Sequence, residues 1–190
     1  PRGRGTIFPF PAAPPRRMVE RMNAAGNSFD QDVIVIGGGS GGYAAARTAA
    51  AAGLRTAVVE GAPDVGGLCI LRGCMPTKAL LQAAEVRHLA RHAGTWGMNP
   101  GPVPFDWTAV LARKDRLIRE FADYRAGQLS DGRFSFLRAQ ARFLDPHTLE
   151  LSTGQTLRAR HFVLSTGSVV APSPLPQLAQ AGYWTSDDAL

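Results

Sequence analysis

Cysteine is nearly absent: two residues in 190, which excludes a disulfide-dense secreted scaffold. Long apolar runs are missing too. The richest, over 33–36 and 44–54, are short, and Arg47 interrupts the second, so neither reaches the length of a membrane-spanning helix. Aromatic residues make up 8%, and Trp96, Trp107 and Trp184 are too scattered to form a base-stacking platform. Glycine is plentiful at 21 residues but shows no period of three, against a collagen-like chain. Acidic residues are lacking before Glu20, where Arg2, Arg4, Arg16 and Arg17 all lie. Without those four arginines, 17 basic side chains face 15 acidic ones. The formal +6 therefore belongs mostly to the leading segment, and neither a nucleic acid nor a membrane is an expected partner. What remains, 45% apolar and 19% charged, is the composition and length of one globular domain.

Residues 1–31 mix Pro, Arg, Ala and Gly without an apolar period and are expected to form a disordered tail. Five prolines before Glu20 argue against the amphipathic helix of a transit peptide, and no secretory apolar core follows the arginines, so a cytoplasmic location is expected. The folded domain is placed over 32–190. Within it, 32–36 predicts a buried strand, 41–53 a helix of small residues, and 55–60 a second strand: a βαβ unit. The spacing further predicts helices over 76–92 and 107–129. From 134 to 166 the period shortens and turn pairs intervene, which predicts a meander of short antiparallel strands. A separate buried strand follows at 162–165, leading into Thr166-Gly167-Ser168.

Two short motifs carry chemistry. Gly37, Gly39 and Gly42 satisfy G-x-G-x-x-G between the first strand and its helix, and Glu60 closes the second strand eighteen residues after Gly42. Gly37 permits a tight turn, Gly39 lets backbone N–H groups approach a pyrophosphate, and Gly42 allows helix and strand to pack closely. A carboxylate at 60 suits a ribose diol and disfavours a 2′-phosphate. Second, Cys69 and Cys74 lie five apart within Gly66–Lys78. In one regular helix their Cα atoms would be about 8.6 Å apart, beyond the roughly 7 Å reach of a disulfide. A bridge therefore needs a local distortion, which Gly73 can supply. Pro76 marks a helix start that puts Cys74 beside helix N–H groups, with Arg72 and Lys78 adding positive charge. Taken alone, the pair also fits two unconnected buried thiols. Half of a zinc site fits less well, because no second Cys/His pair has suitable spacing. His88 and His92 sit beside Arg87 and Arg91 and suit a solvated face better than a metal, and no metal site is expected.

Together these motifs resemble the flavoprotein (pyridine nucleotide-) disulfide oxidoreductases, a family that includes dihydrolipoamide dehydrogenase, glutathione reductase and mercuric reductase. The resemblance rests on 32–42 with Glu60, on G-G-x-C-x-x-x-x-C-x-P-[ST]-K at 66–78, on Ser165-Thr166-Gly167-Ser168 and on Thr185-Ser186-Asp187-Asp188. The continuation Pro76–Leu81 is most similar to dihydrolipoamide dehydrogenases. It implies an α/β, Rossmann-like FAD-binding domain with a parallel sheet and an inserted antiparallel β-meander. It also implies a disulfide/dithiol oxidoreductase that exchanges electrons between NAD(P)H, FAD and a Cys69–Cys74 redox disulfide. By position, Gly37, Gly39, Gly42 and Gly67 would hold the FAD, with Glu60 on the adenosine ribose and Thr166 and Gly167 approaching through backbone groups. Lys78 would lie by the flavin N5 edge. Cys74 would be the charge-transfer thiol next to the flavin, and Cys69 the interchange thiol that attacks a small-molecule or protein-bound disulfide.

Leu68 stands where this family usually has Thr, and Leu71-Arg72 where Asn-Val is common. The family's nicotinamide-binding and interface domains have no counterpart in 32–190, so the chain is expected to be an N-terminal fragment, inactive alone, of a homodimeric enzyme. Two other functions fit the same residues: a non-catalytic FAD-binding remnant, and a flavin reductase acting on oxygen or a quinone.

Overall fold

A computed structural model of the chain describes residues 29–99 and 101–190. Most of the expected tail, residues 1–28, lies outside the described residues, and pairing begins at Asp30, whose N–H donates to the Arg158 carbonyl at 2.9 Å. Strand β1 spans Gln31–Ile36, helix α1 Ser40–Ala51 and β2 Thr56–Glu60. Val33 and Val35 turn to one face of the sheet, against Tyr43 and Ala46 of α1. Ile34 turns to the other, against Ala57, Val59, Leu149 and Leu157. Burial on both faces is why these strands read as unbroken apolar runs instead of alternating ones, and each such side chain contributes about 1.5–3 kcal/mol. Alanines along α1, including Ala45, Ala46 and Ala49, let that helix lie close to the sheet.

Asp32 is fully buried at the start of β1. Its carboxylate accepts from the Arg55 backbone N–H at 3.0 Å and from the Arg55 guanidinium at 3.2 and 3.3 Å, which ties β1 to the segment leading into β2. Burial pushes the Asp32 pKa upward, but the Arg55 hydrogen bonds and charge prevail and leave it below 3.8.

Between β2 and the next strand come α2 (Gly67–Leu71), α3 (Cys74–Arg91), a 3-10 turn (Ala93–Trp96) and the long α4 (Trp107–Leu129). Asp106 caps α4 by accepting from Ala109 N–H at 3.1 Å. The Arg125 guanidinium lies 4.2 Å from the centroid of the Tyr43 ring and fastens α4 to α1.

The chain then forms β3 (Ser135–Arg138), β4 (Ala141–Asp145), β5 (Thr148–Leu151) and β6 (Thr156–Leu164), in one six-stranded sheet of order β3-β2-β1-β6-β5-β4. This corrects the expected meander in two ways. β3 is not part of it, but pairs parallel with β2, Phe136 opposite Val58. The last strand of the expected meander and the separate strand expected at 162–165 are one continuous β6. Its first residues pair antiparallel with β5 and its last pair parallel with β1, Leu164 opposite Ile36. The mixed α/β architecture is that of a Rossmann-like dinucleotide-binding domain. Short helices α5 (Pro176–Ala181) and α6 (Ser186–Ala189) follow. No helix among the described residues is long and apolar enough to cross a membrane.

Candidate functional site

β1 has β2 on one side and β6 on the other, so the carboxyl ends of these three parallel strands open a crevice where the chain reverses its winding. The turn after β1 is held from both neighbours: Gly37 N–H donates to Val59 O, and Ser165 N–H donates to Ile36 O, both at 2.8 Å. A Cβ on Gly42 would lie 1.8 Å from the Gly37 carbonyl oxygen, so only glycine lets α1 start this close to the strand. α1 begins after Gly39 without a side-chain cap. Gly39, Ser40 and Gly41 line the cavity above the strands, and the helix's free N–H donors and positive end open toward it.

That cavity measures about 740 Å³, within the range of small-molecule and cofactor sites. Glu60 forms part of its wall and is 9% exposed. One carboxylate oxygen accepts from Gly38 N–H and the other from Ala62 N–H, each at 2.7 Å. A carboxylate offers about four lone-pair sites, so two hydrogen bonds fix its orientation and leave capacity for a diol. Across the cavity are Thr166 and Gly167, directly after β6.

Gly67 starts α2, and Cys69 and Cys74 stand on the same cavity. The distortion expected between the cysteines is a break at Arg72-Gly73 that separates α2 from α3. Helix α3 begins at Cys74, two residues earlier than the sequence spacing predicts, with Pro76 in its first turn. Both cysteines are free thiols, Cys74 the more exposed. The side-chain interaction with Cys74, with burial and charge repulsion between the two sulfurs adding to it, pushes the Cys69 pKa up. The Ser40 hydroxyl and the Lys78 charge oppose this. Cys69 thus holds its proton more tightly than an ordinary cysteine.

Of the site residues expected from sequence, Gly37, Gly39, Glu60, Gly67, Cys69, Cys74, Thr166 and Gly167 line this one cavity. Gly42 stands behind it as a packing residue. Lys78 is exposed one turn into α3, four residues after Cys74, and acts on Cys69 through its charge. Sequence reasoning missed Ser40, which carries the only side chain within the 37–42 loop, and Gln140, which closes the wall beside Glu60 by donating to Gly61 O at 2.9 Å. Among the described residues no cluster of three or more metal-ligating side chains occurs.

An uncapped helix start behind close-packed glycines, an anchored acid and a roomy cavity fit a dinucleotide. Two thiols on the same wall fit one whose ring takes part in redox chemistry. The comparisons agree: residues 31–190 match the family model of pyridine nucleotide-disulphide oxidoreductases, and the chain belongs to that family. The chain is 29% identical over 170 residues to a mercuric reductase of Bacillus cereus, covering 89% of this chain and 26% of that enzyme. To a dihydrolipoyl dehydrogenase of Thermus scotoductus it is 41% identical over 123 residues, 65% of this chain and 26% of the relative. Among solved structures, an HOCl-induced flavoprotein disulfide reductase of Escherichia coli superposes with a TM-score of 0.60 at 26% identity, over 76% of this chain and 30% of the other. The chain thus spans about a quarter of the length of these two sequence relatives.

Proposed function

We propose that this chain is the flavin-binding part of an FAD-dependent oxidoreductase that exchanges electrons between NAD(P)H and a disulfide/dithiol couple, in the manner of a dihydrolipoamide dehydrogenase. The observation that carries this reading is that Cys69 and Cys74 share one cavity wall with the glycine loop and Glu60. Gly37, Gly39 and Gly67 would admit the FAD pyrophosphate, Glu60 the adenosine ribose, and Thr166 and Gly167 the flavin end through their backbone. When bound, the flavin supplies the two-electron exchange between nicotinamide and the cysteine pair.

The chain's own residues account for the thiol chemistry. Cys69, once its proton passes to Cys74 or to solvent, attacks one sulfur of a substrate disulfide and releases the first substrate thiol. Cys74 then attacks the Cys69 sulfur of the mixed disulfide, releases the second thiol, and closes a Cys69–Cys74 bond. Two electrons and two protons reopen that bond. Lys78, positively charged beside Cys69, stabilises the anionic sulfur during both displacements. The substrate is proposed to be a small-molecule or protein-bound disulfide, the assembly a homodimer and the compartment the cytoplasm.

The test is NAD(P)H-dependent reduction of lipoamide and of glutathione disulfide by the flavin-loaded full-length enzyme that carries this chain and by its Cys69→Ser and Cys74→Ser variants. Loss of disulfide reduction in both variants supports the reading. Undiminished turnover in both, with oxygen or a quinone as acceptor, overturns it in favour of a flavin reductase.

A further inference from the structure

Ser40 is the only residue between Gly37 and Gly42 that has a side chain. It is exposed, opens α1, and lines the same cavity as Cys69 and Cys74. The backbone leaves it little freedom relative to Cys69. Gly39, immediately before Ser40, meets Gly67, two residues before Cys69, so closely that a Cβ on Gly67 would lie 2.8 Å from the Gly39 Cα. The first residues of α1 and α2 are thus packed against each other, which sets the Ser40 side chain near Cys69, where its hydroxyl favours the ionised sulfur.

We propose that Ser40 is a positioning residue for Cys69: its hydroxyl donates to the anionic sulfur of the interchange thiol and holds that sulfur toward the cavity. This rests on the reading of Cys69 as the attacking thiol. Once the Cys69 proton leaves, the sulfur needs a donor, and Ser40 is the hydroxyl that favours its ionised form. Other charged groups face Cys69 as well, namely Lys78 from α3 and Arg125 from α4. Both remain when the hydroxyl is deleted, so its contribution can be isolated. A charge-assisted hydrogen bond of this kind is worth enough to move a thiol titration by about 1 pH unit. The thiolate fraction at pH 7 then falls about tenfold, offset about threefold by the greater intrinsic nucleophilicity of the more basic thiolate.

The experiment measures iodoacetamide alkylation of Cys69 against pH in the full chain carrying Cys74→Ser, with Ser40, Ser40→Ala or Ser40→Thr. Ser40→Ala is expected to raise the alkylation midpoint by about 1 pH unit and to slow alkylation at pH 7 roughly threefold, and Ser40→Thr to restore both. In the reciprocal Cys69→Ser chain, Ser40→Ala is expected to leave alkylation of Cys74 unchanged. Equal Cys69 midpoints for Ser40 and Ser40→Ala, with unchanged circular dichroism, overturn the proposal. A shift that Ser40→Thr fails to restore overturns it too, because the hydroxyl is then not the cause. FAD binding and disulfide turnover, measured in parallel, separate this claim from the proposed function. A midpoint shift in a protein that never reduces a disulfide sinks the function and keeps the Ser40 contact, whereas turnover without a shift does the reverse.

Discussion

Gly39 and Gly67 touch backbone to backbone, and this contact joins the two motifs that the sequence carries separately. The glycine loop and the cysteine helix leave no room for a side chain between them: an added methyl on Gly67 would sit 2.8 Å from the Gly39 Cα. Gly67 also has φ +66°, in the left-handed region. The family's Gly-Gly before the first cysteine is thereby explained by packing as well as by cofactor approach.

Gly67→Ala is accordingly expected to destabilise the full chain by about 1–3 kcal/mol, from left-handed strain plus displaced backbone. Urea denaturation followed by circular dichroism measures this. The same variant is expected to weaken FAD loading, read by the fluorescence of free flavin, because the loop and the cysteine helix are pushed apart.

Glu60→Gln replaces one carboxylate oxygen with an amide that faces a backbone N–H, of Gly38 or of Ala62. One buried donor loses its acceptor, at a cost of about 1–3 kcal/mol. Both the unfolding midpoint and FAD affinity are expected to fall, the affinity by about tenfold or more. An unchanged affinity in a fluorescence titration contradicts the assignment of Glu60 to the ribose.

Asp32 gives the fold an acid-sensitive joint. Its pKa is lower in the folded chain than the ordinary 3.8, so its contribution to stability is fully present above about pH 4 and is lost as the pH falls through the lower, folded value. Asp32→Asn is expected to cost about 1.5–3 kcal/mol at pH 7 and to flatten the loss of stability below pH 4. Unfolding midpoints from pH 2 to 7 for both proteins check the sign.

Asp106→Ala removes the acceptor that caps the 23-residue α4. A loss of about 1 kcal/mol in urea denaturation is expected, with thiol reactivity of the cysteines unchanged because the cap lies outside the cavity.

How far the fold could be read in advance depended on how local each signal is. The glycine loop, α1 and the acid that ends β2 were legible because turn sterics and helix packing act within thirty residues. α4 was legible from end to end because its apolar spacing is sustained and Asp106 marks its start. α2 was not: five residues, Gly67–Leu71, are too few to show a period. The place of β3 was hidden for another reason. Nothing in Ser-Phe-Leu-Arg tells a parallel partner from an antiparallel one, and its partner β2 lies some seventy-five residues earlier. β6 read as two strands because one half edges the antiparallel hairpin and the other edges β1, so burial changes along its length. In the site, the cysteines and Glu60 stood out by residue type, while Ser40 carried no signal. Its partner is set by the Gly39–Gly67 approach, which is visible only in three dimensions.

The central claim is that Cys69 and Cys74 cycle together between disulfide and dithiol under the electrons of a bound flavin. The most direct measurement is anaerobic titration of the oxidised, FAD-loaded chain with dithionite, followed by alkylation and mass analysis of the two cysteine peptides. The account predicts that one two-electron equivalent of reductant converts both residues from unlabelled to labelled, two thiols gained per chain. It is contradicted if the flavin is reduced while the labelling of Cys69 and Cys74 stays as it was.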